Sequence, residues 1–156
     1  MNDIPKKIKF SPKRTPVIPE HRVLYKISQL VIILKETCRG SKASISKINL
    51  INWALKEESR IDSLLVSKVT KVLKINSWSY DPALVRAIDL AYSDRLITFK
   101  NGAFALTKLG LIFADKIISE GEFMKNDLIL LKKIGKSITE SMIKDVERNW
   151  RTLDVH

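Results

Sequence analysis

Residues 96–110 read LITFKNGAFALTKLG. Two short apolar segments flank Asn101-Gly102, the dipeptide that most readily supplies the two positive φ angles of a tight type I′ hairpin turn. A two-residue turn there pairs Lys100 with Ala103, Phe99 with Phe104, Thr98 with Ala105 and Ile97 with Leu106. In that register Phe99/Phe104 and Ile97/Leu106 share one face, and Lys100/Ala103 and Thr98/Ala105 the other. Thr107 follows as a helix N-cap. Apolar spacing resumes at Leu109, Ile112, Phe113 and Ile117, with the stem of Lys116 on the same face. A helix before this hairpin and a helix after it predict a winged helix-turn-helix, mainly α with a short β-hairpin. The alternative is an incidental hairpin in another α+β domain.

Upstream, Asp81-Pro82 combines an N-cap acid with a first-turn proline and predicts a helix from 82 to about 93. Residues 61–75 read as another helix, with Ile61, Leu64, Leu65, Val69, Val72 and Leu73 on one side. Lys68, Lys71 and Lys74 recur every three residues on a second side, as a solvated face or a phosphate-tracking ridge. Residues 45–55 form a short helix with Ile45, Ile48, Ile51 and Leu55 along one face and Trp53 as its largest apolar side chain. Residues 22–38 form the first helix, with Val23, Leu24, Ile27, Leu30, Val31, Leu34 and Cys38 on one broad buried face, ended by Gly40. The expected core includes Leu30, Leu34, Trp53, Leu65, Val69, Ile88, Phe99, Phe104 and Phe113.

The two ends are of different character. Residues 1–20 hold four of the five prolines and five lysines or arginines, so they read as an extended basic arm. Downstream of Gly121, Leu128, Leu131, Ile134, Ile138, Met142 and Val146 recur at three or four residues, predicting one long C-terminal helix from 123 to about 150, with Gly135 as the place for a kink. At ~1.5 Å per residue it would run ~42 Å, more than a small core covers. Leu128, Leu131, Ile138, Met142 and Trp150 are therefore the candidate partner-binding residues, for another protein or for a second copy in a homodimer. The division is thus 1–20 arm, 21–121 winged-helix domain, and 122–156 C-terminal helix on the domain or a partner.

The 156-residue chain carries a net charge of +11. Residues 1–47 hold eleven Lys/Arg against three Asp/Glu, a net +8 of that total. Such an excess predicts attraction to nucleic acid, anionic membrane or acidic protein. No apolar run approaches the ~20 residues of a bilayer span, and the proline-containing N-terminus has no apolar signal core. A single cysteine, Cys38, excludes an intrachain disulfide and points to a reducing, cytoplasmic setting.

Enzyme chemistry has little to draw on. The two histidines, His21 and His156, stand in no ligand spacing, and with a lone cysteine they make no zinc site. Gly40-Ser41-Lys42 lacks the upstream glycine of a phosphate-binding loop. The expectation is a non-catalytic protein with no cofactor and no metal.

Binding is the remaining class. The helix before the wing, DPALVRAIDLAYSDR, offers Arg86 and Arg95 against Asp81, Asp89 and Asp94, which is poor equipment for reading base edges. Charge placement instead favours sequence-nonspecific contact with the backbone of double-stranded DNA, through Lys6, Lys7, Lys9, Lys13 and Arg14 of the arm, Arg39, Lys42 and Lys47 after the first helix, and Lys100 at the wing. An acidic partner protein or an inert solvated tail are the competing readings of the same charge.

YKISQLVIILKETCRG, then SKINLINWALK, then the late LIT and GAFALTKLG, resemble the small middle component of bacterial ABC-three-component systems, the Lamassu-type defence operons. The likeness covers roughly residues 20 to 120 and rests on the hydrophobic first helix, on Asn52 to Leu55, and on the wing. It implies a non-catalytic adaptor that binds an SMC-like ATPase and couples it to a separate effector, acting against phage or plasmid DNA. The rival is a stand-alone transcriptional regulator that dimerises through its last helix and reads an operator. A structural assembly factor without nucleic-acid contact is the third possibility.

Overall fold

The computed structural model describes residues 19–155, apart from residue 76. The arm cations Lys6, Lys7, Lys9, Lys13 and Arg14 lie outside the described residues.

Helix α1 (Pro19–Thr37) is the central post. Leu30, Val31, Ile32, Ile33 and Leu34 are all 0% exposed, five residues in a row. No single helix face can hold them, so this stretch of α1 is enclosed on every side, as a helix segment apolar all round must be. Leu24, expected on the buried face, is exposed. Around the post pack α2 (Ile45–Ala54), α4 (Pro82–Ser93), α5 (Lys108–Glu120) and α6 (Lys125–Ile134).

Strands β2 (Ile97–Lys100) and β3 (Ala103–Leu106) pair in the register set by Asn101-Gly102, with Ile97 opposite Leu106 and Lys100 opposite Ala103. Both turn residues have positive φ, 55° and 78°. A third strand joins them: β1 (Lys42–Ala43) lies antiparallel to β3, giving the order β1-β3-β2 instead of an isolated hairpin. Ile97 and Leu106 at the hairpin root are buried. Phe99 stacks on Phe104 at 4.7 Å but is half exposed, because the hairpin extends beyond the core.

Two joints fix the hairpin to its helices. At the end of α4, Arg95 takes a left-handed conformation, the Leu96 amide donates to the Ala91 carbonyl (2.9 Å), and the Arg95 amide to Tyr92 (3.1 Å). This 6→1, 5→2 closure redirects the chain into β2. Beyond β3, Thr107 accepts the Gly110 amide as the N-cap of α5 and donates to the Arg95 carbonyl. A β-carbon on Gly110 would overlap the Leu96 carbonyl oxygen, so only glycine lets α5 cross here. The buried face of α5 is therefore the small stripe Gly110, Ala114 and Ile117, and Leu109 and Ile112 are turned outward.

Helix α3 (Glu58–Thr70) stops short of the expected 75, at a left-handed Lys71. Lys71 and Lys74 thus lie beyond the helix, and Lys68 donates to the Lys133 carbonyl (2.8 Å), so the three lysines form no ridge. Ile61, Leu64 and Ser67 face inward, which leaves Val69 80% exposed and outside the core. Leu30, Leu34 and Ile88 are buried as expected, while Trp53, Leu65, Phe104 and Phe113 are half-buried at the core's edge.

The long C-terminal helix is two helices, α6 and α7 (Glu140–Val155). Gly135, at φ 59° and ψ −152°, occupies a region essentially reserved for glycine and ends α6. The Thr139 hydroxyl then accepts the Met142 amide (3.2 Å) and starts α7. Folded back this way, the stripe has no surplus. Leu128, Leu131, Ile138 and Met142 are buried in the chain's own core, and Trp150 packs on Trp78 at 4.8 Å. These five residues, expected to meet a partner or a second copy, instead pack within the chain itself.

Candidate nucleic-acid interface

The site grows from the start of α2. Ser44 caps this helix, its hydroxyl accepting the Lys47 amide (3.2 Å). Glu140, the first residue of α7, takes the Ser44 amide (2.9 Å) and the Ser44 hydroxyl (2.7 Å) on its two carboxylate oxygens. Further along the two helices the Ser46 hydroxyl donates to Glu147. The start of α7 is thereby tied to the start of α2.

This junction brings together cations from distant parts of the chain. Arg39 and Lys42 come from the turn and strand after α1, Lys47 from α2, Lys136 from the loop after Gly135, and Lys144 from α7. They line an open cleft of about 570 Å³ whose other border is the hairpin tip, Asn101, Gly102 and Ala103. Five cations face one carboxylate, Glu140, which is already hydrogen-bonded to Ser44. At Gly102 a β-carbon would meet nothing within 4 Å, so the tip stands open to an approaching ligand.

Of the residues expected to meet phosphates, Arg39 and Lys42 are exposed at this cleft. Lys100 is exposed on the hairpin but does not line it. Lys47 departs from expectation: it is only 3% exposed and is not a surface cation. It is the sole charge of α2, and it stands in a wall of the cleft because that helix is buried nearly all round. Among the described residues its ammonium makes no hydrogen bond and no ion pair. Burial pushes its pKa down, opposed by the nearby Cys38 and Glu140. Burial in turn pushes the Cys38 thiol up, against the pull of Lys47. Lys136 and Lys144 escape sequence reading, since nothing in their spacing announces that α7 returns to α2.

A second, partly buried charge cluster joins α1, α2 and α4. Lys26 donates to Gln29 (2.9 Å) and Asn52 (2.7 Å) and pairs with Asp81 at 3.1 Å. Asp81 also receives Lys56, the Asn52 amide and the Ala83 amide, the last as the N-cap of α4. Burial raises the Asp81 pKa, but these donors outweigh it and hold the carboxyl well below the usual carboxylate range. Every partner here is internal, so the cluster is structural.

The outward side chains of α4 are Val85, Arg86, Asp89, Leu90, Tyr92 and Ser93, one cation against one acid. No group of three or more His, Cys, Asp or Glu among the described residues is placed to hold a metal ion. No helix among them is long and apolar enough to cross a membrane. The chain matches no protein-family model, no curated protein and no solved structure.

Proposed function

We propose that this chain is a winged-helix adaptor that holds the backbone of duplex DNA at the cleft beside its wing, without reading sequence. The single observation that carries the reading is the convergence of Arg39, Lys42, Lys47, Lys136 and Lys144 on the face that also presents the hairpin tip. Cations gathered at one cleft neutralise neighbouring phosphates and release counterions, a gain indifferent to base sequence. The order helix, short strand, helices, hairpin, with β1 laid against β3, supports the winged-helix reading. On that plan α3 is an extra helix inserted before α4. The near-neutral outer face of α4 argues against base readout by that helix.

The resemblance to the Lamassu-type middle component supplies the wider assignment, a subunit docked on an SMC-like ATPase and its effector in the cytoplasm. With α6 and α7 committed to the core, docking falls to other apolar ground. Val66, Val69 and Val72 on and after α3, and Leu109 and Ile112 on α5, are each about half exposed or more.

The deciding experiment is a salt titration of binding to several unrelated duplexes. The proposal expects equal affinities across sequences and a steep salt slope. Replacing Lys42, Lys136 and Lys144 together by glutamate should flatten that slope by roughly 0.9 for each phosphate no longer neutralised. An unchanged slope would remove the cleft from the reading. Enrichment of one palindromic motif from random duplexes would make the protein a transcriptional regulator instead.

A further inference from the structure

Lys47 is the least explained charge in the molecule. It is 3% exposed, lines the cleft, and has no hydrogen-bonding acceptor among the described residues. A lysine so largely buried either sheds its proton or completes the shell of its ammonium with an anion, and this ammonium opens on the cleft. Its nearest carboxylate, Glu140, has both oxygens engaged by Ser44. Surface cations tracking a backbone need no such buried donor, because exposed lysines serve that purpose alone.

We propose that the cleft is a seat for one discrete phosphate ester, whose oxygens accept from the Lys47 ammonium while Arg39, Lys42, Lys136 and Lys144 close over its charge. Four observations support the class of ligand. Five cations against one occupied carboxylate demand an anion of more than minimal charge. A volume of about 570 Å³ falls in the range of small-ligand sites, room for a nucleotide as well as its phosphate. The start of α2 lies in the same wall, and its partial positive charge adds to the attraction. Gly102 leaves the entrance clear of side chains. The inference shares its cleft with the proposed backbone contact and adds a fixed position within it. The phosphate comes either from a nucleic-acid backbone or from a free nucleotide.

The test follows the Lys47 ammonium resonance by NMR in the full chain during separate additions of inorganic phosphate, adenosine monophosphate and a short DNA duplex. The seat predicts a saturable shift of that resonance with at least one phosphate ester. Lys47→Met, checked for folding by its thermal transition, should weaken the same ligand roughly ten- to a hundredfold, the loss of one charged hydrogen bond. Glu140→Gln, which keeps an acceptor for Ser44, should tighten it several-fold. Nucleotide binding that the duplex does not displace assigns the free ligand, and displacement by duplex assigns the backbone. A resonance unmoved by all three additions overturns the seat, and should Lys47→Met not fold, that measurement on the native chain decides alone. Duplex binding that depends on Lys42, Lys136 and Lys144 while Lys47 stays silent overturns the seat and leaves the adaptor reading intact. Nucleotide binding without duplex binding does the reverse.

Discussion

Among the described residues, Lys26 and Lys47 are the two lysines most withdrawn from solvent, and they are treated in opposite ways. Lys26 sits among acceptors from three helices, Gln29, Asn52 and Asp81, all between 2.7 and 3.1 Å. Lys47 has none among the described residues, although it is the more deeply buried of the two. The first charge is spent holding α1, α2 and α4 together. The second is held out of water yet beside an opening, an arrangement that favours binding over stability.

Measurements of stability can break this contrast. The largest effect is expected from Asp81→Ala, which strips the counter-charge from Lys26 and Lys56 and the cap from α4. The charged hydrogen bonds of Asp81 contribute about 1.5–3 kcal/mol and its N-cap about 1 kcal/mol more, to be read from urea unfolding. A loss below about 1 kcal/mol would show that the cluster holds nothing together. Lys26→Met leaves Asp81 with Lys56, Asn52 and the Ala83 amide, so the loss should be smaller, about 1.5–3 kcal/mol for charged hydrogen bonds. Lys47→Met should move the other way, raising the unfolding free energy by about 1 kcal/mol as a partly desolvated charge gives way to an apolar side chain of similar volume. Destabilisation of similar size in both methionine variants would erase the distinction.

Proton linkage gives the smallest and most specific readouts. Because the folded Asp81 carboxyl titrates below the unfolded one, its contribution is complete above the unfolded value of about 3.9 and is lost as pH falls through the folded value. Asp81→Asn should therefore flatten the acid limb of the stability curve. For Lys47 the folded pKa is depressed, so the unfolded chain binds the extra proton and stability rises as pH climbs toward the unfolded lysine value of about 10.4. Lys26 is lowered too, by burial that its partners only partly offset. Lys47→Met should accordingly reduce the alkaline rise without abolishing it.

The parts of this architecture legible in the sequence are those encoded by neighbouring residues. Asn101-Gly102 specifies the hairpin register, Asp81-Pro82 the start of α4, and Thr107 the start of α5. Where the deciding interaction is distant, local patterns mislead. Lys71 ends α3 in a left-handed conformation without the glycine that would signal it. The apolar pattern of α5 finds Ile117 but misses Gly110 and Ala114, which count as weak apolar residues, yet close packing selects them. Gly135 is a visible break, but the period of the apolar residues continues across it and suggests a single rod. The cleft is half legible: Arg39, Lys42 and Lys47 stand close in sequence, whereas Lys136 and Lys144 arrive only through the return of α7. For Lys47 the one available hint is its solitude, a single charge in the otherwise uncharged ISKINLINWA.

The Ser44–Glu140 bond spans 96 positions of the chain. A protein cut after α5 would keep its hairpin yet own only one bank of the channel. During synthesis the channel closes only after the α7 segment has left the ribosome, so whatever lodges there clasps early and late portions of the polypeptide together. Occupancy would then work as a latch, slowing unzipping of the C-terminal helices in proportion to how tightly the guest is held.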